Sequence, residues 1–221
     1  PAAPYHAHLV NTDTDALLKS VMAGNNDEYI AFAKTQAERI ITTWVSTLPK
    51  AGDHLLVTDS VYRPTRIFCN GLLKRFGVET TYFDPMMGET IASLFKPNTK
   101  AVFTESPGSQ SFEVQDVPAI ARVAHDRGAV VLMDNTWATP FFFSPHEKGV
   151  DLAIEAGTKY LSGHSDILLG LVSANERTWK NLRDTYDAMA ICAGPEDMFL
   201  ALRGIRYIQF YQWDAAKCFP T

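Results

Sequence analysis

Cysteine is scarce in this chain. Cys69, Cys192 and Cys218 are odd in number, far apart and form no C-x-x-C pair. A disulfide framework and a structural zinc site therefore lack support, and a reducing cytosol is the expected compartment. A strong excess of positive charge is also missing. The net charge is −5 and no long basic run occurs, so nucleic-acid binding lacks its electrostatic footprint. Long apolar runs are absent: the Ala129–Met133 stretch stops at Asp134, far short of the roughly 20 residues that a spanning helix needs. No membrane partner is expected. Pro1–His6 lacks the charged-then-apolar layout of a signal peptide, so the expected location is cytoplasmic. G-x-G-x-x-G, Walker A, G-x-S-x-G and H-E-x-x-H are all missing, which removes motif support for dinucleotide, P-loop, hydrolase and zincin chemistry. Repeats, low-complexity tracts and a strong linker are missing as well.

What remains is an ordinary globular composition over 221 residues, 46% apolar and 20% charged. From about residue 53 onward strand and helix patterns alternate. His54–Thr58, Val78–Phe83, Ala101–Glu105, Ala129–Met133, Asp151–Ile154 and Ile167–Ala174 read as strands. Helical spacing spans Arg63–Phe76, Glu89–Phe95, the run from Asp116 to Gly128, Glu176–Met189 and Pro195–Tyr207. Asp27–Leu48 also has helical character. Strands that are apolar throughout and separated by helices imply an α/β fold, with a mostly parallel sheet covered on both faces. Such sheets bind ligands beyond the carboxyl ends of their strands, where Asp59, Glu105, Asp134 and Lys159 all fall.

Lys159 sits among Gly157, Thr158, Gly163, His164 and Ser165, small or polar residues that follow a buried strand. Desolvation there would favour a free amine and imine formation. Asp134 ends the preceding apolar strand. A lysine and an aspartate so placed suit pyridoxal 5'-phosphate (PLP): the lysine carries it as a Schiff base and the aspartate keeps its ring nitrogen protonated. Thr158 has a hydroxyl to offer a phosphate, and Tyr62, at another strand end, has a ring to stack on the cofactor. Each has a simpler reading, as surface lysine, turn former or packing aromatic. His164 and Asp166 are two polar neighbours without the third ligand that zinc requires, so no metal is expected.

Four segments carry a resemblance: Ser106–Ser109, Phe112–Asp116, Val131–Ala138 and Gly157–Asp166. They resemble the Cys/Met-metabolism family of PLP enzymes over about residues 50–205, and within it the cystathionine β-lyases. The resemblance implies the large PLP-binding domain of fold type I, with Lys159 as Schiff-base lysine and Asp134 as partner of the pyridine nitrogen. Tyr62 would be the stacking ring and Thr158 a phosphate contact; Lys159 and Tyr62 are the candidate catalytic residues. It further implies a carbon–sulfur lyase of transsulfuration and methionine biosynthesis. The substrate would be an amino-acid thioether, and the assembly a homo-oligomer, dimer or tetramer.

The departures shape the expected domains. Residues 1–50 read as an atypical helical segment, 51–207 as the large domain and 208–221 as a tail, without the small carboxyl-terminal domain. The phosphate-binding helix start of the family aligns with Ala37 and Glu38, where a carboxylate facing the site would repel phosphate. The reaction that the resemblance implies is β-elimination of cystathionine to homocysteine, pyruvate and ammonia, and two alternatives to it stand at this point. One is another family reaction (cystathionine γ-synthase, γ-lyase or a cysteine-type lyase). The other is an inactive truncated remnant that acts only by subunit association.

Overall fold

The computed structural model of the protein describes residues 28–33, 50–190 and 192–218. Its centre is a seven-stranded sheet. The strands are β1 (Glu28–Ala33), β2 (His54–Thr58), β3 (Glu79–Phe83), β4 (Thr99–Glu105), β5 (Val130–Asp134), β6 (Leu152–Ala156) and β7 (Leu169–Ala174). Their spatial order is β1-β7-β6-β5-β4-β2-β3. Strands β2 to β6 pair in parallel, whereas β7 runs antiparallel to both β6 and β1.

The helices are α1 (Arg63–Phe68, continued by a π-helical segment Cys69–Leu73), α2 (Val117–Asp126), α3 (Thr139–Phe142), α4 (Glu176–Ala188) and α5 (Pro195–Cys218). Short 3-10 turns occupy Gly88–Leu94 and His146–Lys148. α2 starts where the sequence places an N-cap: the Asp116 carboxylate accepts the Ala119 N–H, with Pro118 in the first turn.

Strand side chains alternate between two cores, because a strand projects successive residues to opposite faces. Leu55, Val57, Phe103, Leu132, Leu152 and Ile154 pack on one face with Leu182 of α4 and the Cys69–Leu73 segment. Leu56, Val102, Val131, Met133 and Ala153 pack on the other with Ile91 and with Ile120 and Ala124 of α2. Burying both faces stabilises the sheet by about 25 cal/mol per Å² of apolar surface and leaves only its ends for function. The α/β architecture expected from the alternating pattern is the one found.

Three features differ from the sequence reading. A strand, β1, stands inside the segment read as helical; residues 1–27 and 34–49 lie outside the described residues, Ala37 and Glu38 among them. β7 reverses because Gly157–Leu168 contains no crossover helix, and a parallel return needs a long connection, usually helical. Finally, α5 runs on to Cys218, so residues 208–218 continue a helix rather than forming a separate tail.

Candidate active site

The parallel strands end at one edge of the sheet, and the candidate residues gather there. Asp134 closes β5 and is buried, with one carboxylate oxygen accepting the Thr136 N–H at 3.0 Å. Thr136 in turn accepts the Ala156 N–H on its hydroxyl oxygen at 2.8 Å. The Ala156 carbonyl then accepts the Lys159 N–H at 2.9 Å. A short chain of hydrogen bonds thus ties the end of β5 to the turn that carries Lys159.

Lys159 extends towards Tyr62, the N-cap of α1, its Nζ 5.4 Å from the centre of the Tyr62 ring. That separation is within cation–π range. The sequence predicts both residues for one site, and the fold brings them together from positions almost a hundred residues apart in the chain. Lys159 is not enclosed: it lies exposed on an open cleft of about 1320 Å³ lined by Thr158, Tyr160, Ile167, Cys192 and Asp197 among others. The described residues do not enclose it in the desolvating pocket expected from its small neighbours. Asp134 and Tyr62 do not line that cleft, so geometry about Lys159 locates the site better than the cavity does.

Thr158 is engaged differently from expectation. Its N–H and its hydroxyl both donate to the Leu169 carbonyl, at 3.1 and 3.3 Å, and its hydroxyl oxygen accepts the Leu169 N–H at 2.9 Å. A hydroxyl has one proton, so a phosphate contact requires Thr158 to leave this carbonyl. As it stands, Thr158 closes the base of the lysine loop. His164 Nδ1 is 2.7 Å from the Ser162 carbonyl, and Asp166 pairs with Arg203 of α5. Among the described residues no three His, Cys, Asp or Glu side chains come together to hold a metal ion.

The loop is further fixed by α5. Leu161, Ile167 and Leu169 pack with Ala201 and Ile205 in a separate apolar cluster. Gly204 makes this approach possible: a Cβ there would lie 2.4 Å from the carbonyl oxygens of Leu161 and Ser162. Only a residue without a side chain fits such a contact.

One of the strand-end carboxylates noted in the sequence, Glu105, has a part in the site that the sequence does not show. Glu105, the last residue of β4, is 4% exposed and uses both carboxylate oxygens. Oε2 accepts the Tyr62 N–H at 2.9 Å and Oε1 accepts the Ser109 N–H at 2.8 Å. Its backbone carbonyl accepts Gln115 Nε2 at 2.7 Å. Burial first, then the Asp134 carboxylate, pushes the Glu105 carboxyl up to about 7, against the pull of the Ser109 and Tyr62 amides. The one available signal is a carboxylate ending a strand that is otherwise apolar, just before Ser-Pro-Gly.

The donor set fits PLP at two points. It offers a primary amine beside an aromatic face, and a buried carboxylate at the neighbouring strand end for a cationic ring nitrogen. The phosphate end expected at Ala37 and Glu38 is outside the described residues.

Comparison with known proteins agrees with this chemistry. Residues 9–211 match the family model "Cys/Met metabolism PLP-dependent enzyme". Over 159 residues the chain is 61% identical to a "Putative cystathionine beta-lyase" of Saccharomyces cerevisiae, covering 72% of this chain and 47% of that protein. It is 41% identical over 168 residues to the cystathionine beta-lyase of Haemophilus influenzae, covering 75% of this chain and 42% of the relative. The crystal structure of cystathionine gamma-lyase from Lactobacillus plantarum, complexed with L-serine, superposes with a TM-score of 0.82 at 29% identity. That match covers 89% of this chain and 51% of the other. The chain therefore spans about half the length of the relatives it matches. Among the described residues no helix is long and apolar enough to cross a membrane.

Proposed function

The chain belongs to the Cys/Met metabolism PLP-dependent enzyme family, and on that premise we propose that it serves as a carbon–sulfur lyase that β-eliminates cystathionine. The products are homocysteine, pyruvate and ammonia, with one water consumed. The observation that carries this reading is the Lys159 amine 5.4 Å from the centre of the Tyr62 ring, at the sheet edge where Asp134 ends its strand. Identity to proteins named cystathionine beta-lyase supports the choice of substrate.

Bound PLP supplies an electron sink for the charge left when a proton leaves the substrate's α-carbon. Lys159 would hold the cofactor through Nζ. When substrate amine takes its place there, the freed Nζ would accept the α-proton and return a proton to the departing sulfur. The Asp134 carboxylate, oriented by the Thr136 N–H, would keep the ring nitrogen protonated. Tyr62 would cover one ring face and fix its tilt. Thr158 would either contact the phosphate or, in the arrangement described, hold the lysine turn in place.

Likeness to a γ-lyase supports a second reading, γ-elimination, which would release cysteine, ammonia and α-ketobutyrate. The two differ in their oxo acid. Incubating the full chain with PLP and cystathionine and separating the oxo acids is expected to yield pyruvate; α-ketobutyrate alone would contradict the β-lyase reading. Neither acid forming, in a preparation that takes up PLP, would favour a role in subunit association.

A further inference from the structure

Building on that reading, we propose that Glu105 is a positioning residue that holds the Tyr62 ring over the cofactor by gripping the Tyr62 backbone. As N-cap of α1, Tyr62 makes no side-chain capping bond, and its carbonyl accepts the Arg66 N–H at 3.2 Å. Its N–H instead crosses to the Glu105 carboxylate, 43 residues along the chain, at 2.9 Å. Once Glu105 is ionised, its bonds from the two amides are charge-assisted and among the stronger hydrogen bonds in proteins.

Glu105 is suited to the task because its own backbone is rigid. β4 lies between β2 and β5 in the sheet, and Glu105 pairs with Asp134 in the ladder. Its second oxygen holds Ser109, so one side chain pins the loop after β2 and the loop after β4 together. Those loops also touch directly. A Cβ at Gly108 would lie 2.8 Å from Ser60 Oγ and 2.9 Å from Ser60 Cβ, so a side chain there would force the two loops to shift. With both oxygens committed to amides and the side chain buried, Glu105 has no access to substrate. Its influence passes through Tyr62.

The test uses the full chain with added PLP and a double-mutant cycle of Glu105→Gln and Tyr62→Ala, because coupling between residues that act as a unit appears as non-additivity. Glutamine has one acceptor oxygen and no charge, so the Tyr62 N–H either loses its acceptor or keeps only a weaker, neutral one. Glu105→Gln is expected to weaken PLP uptake about tenfold and to diminish the visible circular dichroism of the bound cofactor. In the Tyr62→Ala background it should change uptake less than about twofold. Without PLP, amide exchange at residues 60–66 should be faster in Glu105→Gln. If Glu105→Gln fails to refold, Glu105→Asp, one methylene too short to reach both amides, takes its place under the same expectations. Wild type that takes up PLP, with equal losses in both backgrounds or unchanged amide exchange, overturns this proposal alone. Wild type that takes up no PLP overturns the functional reading and this proposal with it.

Discussion

Glu105 and Asp134 end adjacent parallel strands directly opposite one another, two buried carboxyl groups at the edge where the site forms. Their proximity has a consequence for stability. Glu105 titrates near 7 in the folded chain, against 4.5 ordinarily, through burial and then Asp134. The folded state therefore keeps a proton that the unfolded chain releases. This contribution is fully present below about 4.5 and is lost as pH rises through about 7. Denaturant unfolding across that window should show wild type losing stability relative to Glu105→Gln, by at most about 3 kcal/mol. Parallel pH profiles for the two proteins would contradict it.

Gly204→Ala isolates the contact between α5 and the lysine loop. Alanine favours a helix interior by about 1 kcal/mol over glycine. Here its methyl would meet the Leu161 and Ser162 carbonyls at 2.4 Å, which are backbone atoms that cannot swing away. A net loss of about 1–3 kcal/mol in chemical denaturation is expected. A gain in stability would mean that α5 does not rest on the loop.

Asp151 makes a prediction remote from the site. It is 1% exposed and accepts from the Val131 N–H at 2.7 Å and Asn175 Nδ2 at 3.0 Å, with His125 Nε2 at 2.9 Å. Asp151→Ala leaves the buried Val131 N–H without this acceptor, while the more accessible His125 and Asn175 can turn to water, and should cost about 1–3 kcal/mol. Calorimetry would check it. PLP uptake by the folded fraction should be unchanged.

Thr158→Val and Thr158→Ser separate two roles of one hydroxyl. If Thr158 chiefly closes the loop through Leu169, valine should lower stability by about 1 kcal/mol and serine should restore it. Loss of PLP affinity in Thr158→Val at unchanged stability would instead favour the phosphate contact.

Much of this architecture is legible in the sequence, for identifiable reasons. Strands β2, β4, β5 and β6 are buried on both faces, so they read as short apolar runs whose ends differ from the structure by only one or two residues. Lys159, Asp134 and Tyr62 stand out because they follow such runs. What stays hidden depends on distant partners. β1 exists by pairing with β7, more than a hundred residues away, and a helical period over Asp27–Leu48 carries no sign of that ladder. Strand direction is equally invisible, since β7 looks like any apolar strand until the missing crossover is noticed. Glu105 is a charged residue at the end of a strand; its grip on Tyr62 appears only when the loops after β2 and β4 meet.

The central claim is that Lys159 holds PLP. The full chain, incubated with PLP, reduced with borohydride, digested and weighed by mass spectrometry, should carry the cofactor's mass on the peptide containing Lys159, and Lys159→Ala should carry none there. An unmodified Lys159 peptide in folded wild-type protein, or equal labelling scattered over surface lysines in both proteins, would contradict the account.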